Sequence, residues 1–532
     1  MRATNMKKAI SKTQLLLATV VALTLLLTPA AFAAAPGITG GTGATATFNL
    51  TARPAYITQP DGSAVYSWGY GCSIAPTGFA PALTGATCPT MQVPGPTMIV
   101  TQGQTVTVRL TNNLPPAAGN TSILFPGFNV TTGPLGINGL LTKEAGHATT
   151  NSTVTYTFVA STPGTHAYYS GTQGDLQVEM GLYGAIIVLP STIPAACNSG
   201  VHASNLTAQG FWGETDFRLA HAAYNHPGAC YDREYLFQYS EMDPRIHRQA
   251  EEQASRACPP ASANTGCMNV ATEPYVPAYF MINGRSMPDL MDPNYAAEYP
   301  HQPYNGNPHM HPGELTLLRI IGTGRWQHPF HEHGNHVRVL ARDGNLILSA
   351  TDPNSLAGPL LFTTTTTPGV TMDGIYYWTG KGLNWDPYGH NAASGSTLPC
   401  VADANGYNTS APTAINYFEW CQDHNKPLQA HPFGDVAGGG PATLPDPNIF
   451  ANGPWFGGSP YLGPDATVRA VGNTGTTPPS GTVANAPDSE AGFAFMWHSH
   501  NEREITTNNI FPGGMLMMML VDSREFVIDE SN

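Results

Sequence analysis

Residues 94–115 read PGPTMIVTQGQTVTVRLTNNLP. Between Thr105 and Asn112, Val106, Val108 and Leu110 alternate with threonines and Arg109. Side chains on a strand point to opposite faces in turn, so this segment predicts a strand with one face on a core. Gly103 and the pair Asn112-Asn113 bound it with turn chemistry. The same signature recurs nearby in STVTYTFVAS (152–161), GTHAYYSG (164–171) and GLYGAIIVLP (181–190). Residues 35–190 are therefore expected to form one β-sandwich.

The stretch GELTLLRIIGTG (313–324) repeats the pattern of GQTVTVRLTNN (103–113): a glycine, an acceptor residue, then an alternating strand that ends in a polar turn. With YLFQYSEMD (235–243), AYFMINGRSMPD (278–289) and NHVRVLARDG (335–344) it predicts a second, related sandwich over 226–532, joined by a connector at 191–225. From about 346 to 490 the chain is rich in Thr, Gly, Pro and Asn, which reads as long inserted loops with one strand near DGIYYWTGKG (373–382). Within it the run LFTTTTT (361–367) carries no recognisable chemistry. Asp243 followed by good helix formers predicts one short helix in DPRIHRQAEEQASRA (243–257).

Residues 1–33 combine Arg2, Lys7, Lys8 and Lys12 with an apolar run from Leu15 to Leu27 and the small-residue pattern Ala31-Phe32-Ala33, the features of a cleaved secretory signal. The protein is expected to be exported, periplasmic or extracellular, with no membrane span after cleavage. Losing that segment takes the formal charge from -14 to -18, which disfavours nucleic acid as a partner. Eight cysteines in an oxidising compartment read as disulfides, and neighbours in sequence suggest Cys72–Cys88, Cys197–Cys230, Cys258–Cys267 and Cys400–Cys421, although spacing alone does not fix connectivity. No cysteine lies beside a histidine motif, so thiolate ligation of a metal is not expected.

Two histidine motifs stand out. In WQHPFHEHGNHVRVL (326–340) His331 and His333 share a strand face and His328 has the opposite parity. In FMWHSH (495–500) His498 and His500 share a face, with Ser499 opposite. If the two strands pair, His331, His333, His498 and His500 converge while His328 and Ser499 look to a second spot. Converging neutral imidazoles suit Cu, Zn, Fe or Ni. A lone HxH is more often an ordinary hydrogen-bonded pair; two of them on strands favour a metal. A third, His309 and His311 in NPHMHPGE, precedes a strand in a proline-rich turn and is a weaker candidate. Met515, Met517 and Met519 read first as adaptable core filling.

At these residues the chain resembles the multicopper oxidase family, the cupredoxin-fold group that includes laccases. HPFHEHG is similar to that family's His-Pro-Phe-His-Leu-His-Gly, and WHSH followed by GGM is similar to its closing His-Cys-His and Gly-Met. Residues 94–115 and 164–188 resemble its first domain. The resemblance implies an all-β chain of tandem cupredoxin-like Greek-key sandwiches, with copper as cofactor. It implies that His328 matches a ligand of the type 1 copper and that His331, His333, His498 and His500 match ligands of the cluster where oxygen is reduced. Met515 falls where an axial copper contact would be.

The chain departs from the pattern at Ser499, where the family has the blue-copper cysteine, at Leu124-Phe125-Pro126-Gly127 in place of His-Trp-His-Gly, and at Tyr169-Ser170-Gly171 in place of His-Ser-His. A hydroxyl cannot supply the thiolate bond of a blue site. What is expected is a mononuclear centre of three or four histidines, with Glu502 or Glu504 as a carboxylate partner. The length resembles two-domain laccases and copper nitrite reductases, which are typically trimers with sites shared between subunits. The resemblance thus implies a homotrimer in which a neighbour's first domain, through His166 or His147, could complete the site.

The leading functional reading is an exported copper-binding oxidoreductase of multicopper-oxidase type, acting on phenols or metal ions with oxygen as acceptor. The alternative is a non-catalytic, metal-binding or structural envelope protein.

Overall fold

The structure, a computed structural model, describes residues 35–528 apart from 84, 148–150, 263–264, 382–397, 423–457, 463–482 and 485–490. The leader expected at 1–33 and much of the insertion expected at 346–490 lie outside the described residues. No described helix is long and apolar enough to cross a membrane.

The alternation of residues 105–112 becomes a strand, Thr105–Asn112, with Val106, Val108 and Leu110 buried. Each such side chain contributes about 1.5–3 kcal/mol when removed from water. Its sheet runs in the order Ala64–Cys72, Thr45–Thr58, Thr105–Asn112, Thr153–Val159, Thr131–Thr132. The facing sheet runs Gly164–Tyr169, Tyr183–Leu189, Met98–Thr101, Gly37–Thr39, Gly78–Ala80. Phe48, Trp68, Val108 and Tyr156 of the one sheet share a core with Met98, Tyr168 and Ile186 of the other.

A second sandwich follows. One sheet runs Tyr279–Ile282, Arg233–Met242, Leu315–Gly322, Thr371–Tyr377, Val337–Arg342, Asn345–Leu346. The other runs His309–Met310, Leu516–Asp522, Ala491–Ser499, His328–Glu332, Thr363–Thr366. Phe237, Leu318 and Val339 pack there against Phe330, Phe495, Trp497, Met515, Met517 and Met519.

The chain is all-β, and its two halves repeat. Thr45–Thr58 runs parallel to Thr105–Asn112, and Arg233–Met242 runs parallel to Leu315–Gly322. Parallel neighbours cannot be joined by a tight hairpin, so in both halves the chain crosses to the opposite sheet between them. The repeated sequences 103–113 and 313–324 thus occupy the same place in each sandwich. Four disulfides form with the pairing suggested by sequence: Cys72–Cys88, Cys197–Cys230, Cys258–Cys267 and Cys400–Cys421. The short helix is Pro244–Gln253, and the Asp243 side chain caps it by accepting from the Arg245 N–H. A second helix, Gly200–Trp212, has no counterpart in the sequence reading.

One correction concerns residues 346–490. Leu360–Leu361 and Thr363–Thr366 are strands of the sandwich sheets rather than inserted loop. The sandwiches also lock together through polar groups as well as apolar ones: Asp373 accepts from the Thr165 N–H and hydroxyl at 3.1 and 2.6 Å and from Tyr224, while Arg319 donates to Thr165 at 3.2 Å.

Candidate metal centre

His328–Glu332 pairs antiparallel with Ala491–Ser499, and His331 stands directly opposite His498. Opposite residues of an antiparallel pair share a face. Phe330 and Trp497 consequently turn into the core, while His331, His333, His498 and His500 turn out of it together. Ring centroids lie 4.7 Å apart for His331–His333, 4.8 Å for His331–His500, 5.1 Å for His333–His498 and 5.2 Å for His498–His500. His498 Nε2 and His333 Nε2 approach to 3.2 Å. Two nitrogens about 2.0–2.1 Å from one ion would stand at roughly this separation.

The rear nitrogens are held. His331 Nδ1 bonds Thr363 Oγ1 at 2.9 Å, and His498 Nδ1 donates to its neighbour's carbonyl, Ser499 O, at 2.8 Å. The carbonyl can only accept, so His498 carries its proton on Nδ1, and both contacts hold the rings from behind, the arrangement that orients imidazole ligands. The backbone at His333 is fixed as well, since its carbonyl accepts from Trp497 Nε1 at 3.0 Å and from the Tyr376 hydroxyl at 3.1 Å. Burial, reinforced by the three neighbouring imidazoles, pushes His331 down to about 4. His498 is also lowered, by burial. At neutral pH these rings are uncharged, the form that binds metal.

His328 departs from the ligand role expected of it. It is fully buried on the inner face, with Nδ1 2.9 Å from Glu504 Oε2 and Nε2 2.9 Å from Glu241 Oε2. Both ring nitrogens are engaged by carboxylates on opposite sides of the ring, which leaves neither for an ion. Burial alone would lower its pKa, but the two hydrogen-bonded carboxylates outweigh that and raise it to about 9. Ser499, on the same inner face, donates to the same Glu504 oxygen at 2.5 Å. The second spot expected for His328 and Ser499 exists, and a charged hydrogen-bond network fills it. Glu504 faces inward to that network instead of outward to the four imidazoles.

Other candidates resolve in the same way. Met515, Met517 and Met519 are buried in the core. His309 Nδ1 pairs with Asp522 at 2.7 Å, and His311 Nε2 pairs with Glu214 at 2.7 Å. Glu214, His311 and Glu314 lie close enough to hold an ion, yet Arg233 already donates to both glutamates. His166, offered as a ligand for a neighbouring subunit, is buried, stacks near Phe128 and bonds the Thr162 carbonyl at 2.9 Å.

Sequence reasoning missed the threonine run. Thr363–Thr366 lies along His328–Glu332 with His331 opposite Thr363. Thr363 holds His331, Thr364 donates to Glu332, and Thr366 Oγ1 accepts from the His328 N–H at 3.2 Å. Its signal was present in the β-propensity of threonine. Glu332 is buried behind the histidines, and burial raises its carboxyl to about 8.

Comparison with known proteins adds a likeness in part of the chain. Residues 86–192, most of the first sandwich, match the family model described as multicopper oxidase. No curated protein matches. Among solved structures, the chain is similar to the multicopper oxidase mgLAC, at 15% identity over 89% of this chain and 85% of that one, with a TM-score of 0.43. It is also similar to a blue copper oxidase from Nitrosomonas europaea, at 15% identity over 89% and 85% with a TM-score of 0.42. A copper nitrite reductase from the same organism aligns at 18% identity over 62% of this chain and 84% of that one, with a TM-score of 0.37.

Proposed function

We propose that this chain, whose first sandwich matches the multicopper oxidase family, is an exported copper-binding oxidoreductase whose metal is held by His331, His333, His498 and His500. The observation that carries the reading is the convergence of four imidazoles, two of them with Nε2 atoms 3.2 Å apart. All-nitrogen coordination by imidazole suits copper and zinc. The family match favours copper, which would supply one-electron redox chemistry toward phenols or metal ions, with oxygen as acceptor.

The chain's own residues define how that chemistry is supported. Thr363 orients the His331 ring, and the Ser499 carbonyl fixes His498 in the Nδ1–H tautomer. Among the described residues His500 is the exposed member of the set, so it is the side from which a small substrate approaches. Ser499 cannot carry electrons as a thiolate would, and the network around His328 occupies the adjoining space. A second reading, a metal-binding protein without turnover, draws on that same network.

Metal analysis of the purified protein tests the centre. Copper at fewer than four ions per chain, lost on changing His331 and His500, supports the centre. Oxygen consumption with a phenolic or Mn(II) donor separates oxidase from binder.

A further inference from the structure

The pairing of His331 with His498 has a counterpart in the first sandwich, where Leu124 forms an isolated antiparallel bridge with Tyr169. At that counterpart the structure holds a hollow of about 400 Å³. Leu124, Ala167, Tyr169 and Val178 form one side, and the second sandwich closes the other with residues 322–325 and 368–369. The position that gathers imidazoles in one half of the molecule borders a hollow in the other.

The walls show what that space can hold. Most polar groups along it are already satisfied by protein. Tyr168 donates to the Pro96 carbonyl at 2.8 Å, Tyr183 to Ser240 at 2.8 Å, Ser170 to Gln177 at 2.7 Å and Thr323 to the Tyr239 carbonyl at 2.8 Å. The Arg325 guanidinium is spent on the Thr272 carbonyl and Glu273. The Tyr169 hydroxyl makes no hydrogen bond to the described residues, and it sits 3.6 Å from where a Cβ on Gly369 would stand at the cavity wall. An ion entering here would be desolvated without a countercharge, which is costly. A flat apolar molecule with one polar group would lose little and gain the burial of its ring.

We propose that this inter-sandwich cavity binds a small uncharged aromatic molecule of one or two rings, with its polar group on the Tyr169 hydroxyl. Its volume falls in the range of small-molecule pockets, and domain interfaces are where such pockets concentrate. Neither the copper reading nor the four imidazoles enter this argument, since none of those histidines lines the cavity.

Calorimetric titration of the full chain with 2-naphthol tests it. One saturable site is expected. At Gly174 on the cavity wall a Cβ would meet no atom within 4 Å, so Gly174→Trp can project into open space. It should weaken binding by about tenfold or more, and Tyr169→Phe by about fivefold, the scale of one hydrogen bond. Binding should persist in the His331→Ala/His500→Ala variant, which separates this site from the metal centre. Absence of saturable binding overturns the proposal, as does unchanged affinity in Tyr169→Phe together with unchanged affinity in Gly174→Trp.

Discussion

His328 and Glu504 meet at 2.9 Å on the inner face of the second sandwich, and the carboxylate oxygen that receives the imidazole also receives the Ser499 hydroxyl. On the far side of the ring Glu241 closes the arrangement and is itself held by the Arg325 and Trp326 N–H groups at 2.6 and 2.8 Å. A buried cation between two acids is stable only while all three are present.

That arrangement makes stability sensitive to alkali. The folded His328 has its pKa raised from the ordinary 6.5 to about 9, so its contribution is complete below about pH 6.5 and disappears as pH rises through 9. The contribution is about 3 kcal/mol at most. Melting temperature recorded from pH 6 to 10 should fall on the alkaline side, and Glu504→Gln should flatten that fall while lowering the melting temperature at neutral pH. An identical alkaline slope in the variant would refute the assignment.

Introducing a thiol at position 499 should not create a blue centre. In Ser499→Cys the sulfur would face Glu504 and a ring whose two nitrogens are both engaged. Copper-loaded Ser499→Cys is therefore expected to lack an intense thiolate-to-copper absorption band. A strong blue colour would show that His328 can be released to an ion.

The metal centre itself is tested by paired substitution. His331→Ala with His500→Ala should abolish stoichiometric copper by elemental analysis, while the circular dichroism of the β-rich fold is retained. Thr363→Val, which removes only the hydroxyl behind His331, should weaken copper binding by about tenfold. Full copper retention in the double variant would place the ligands elsewhere.

Between the sandwiches, Asp373 serves Thr165, Tyr224 and Arg319 at once. Asp373→Ala leaves the buried Arg319 with only Glu234 as a charged partner and should cost about 3–5 kcal/mol in chemical denaturation. Copper content should be unaffected.

The sequence disclosed those features that obey local rules. Period two placed Val106, Val108 and Leu110 in a core, and the same parity separated His331 and His333 from His328 before any partner was visible. The partners were not local. Glu241 lies 87 positions from His328 and Glu504 lies 176 positions from it, so nothing near His328 announced that carboxylates would claim it. The threonines at 363–366 have no hydrophobic period, and an edge strand that supports a site through hydroxyls resembles a loop in composition. The hollow near Tyr169 was foreshadowed only by the departures at 124–127 and 169–171 from the histidine motifs of the family the sequence resembles.

His333 and His498 touch although 165 positions separate them. In the proposed centre each half of the imidazole cluster would be a weak bidentate site, and a tetradentate one would come into being only after the last strands have docked. Ion uptake at that centre would therefore report completion of folding.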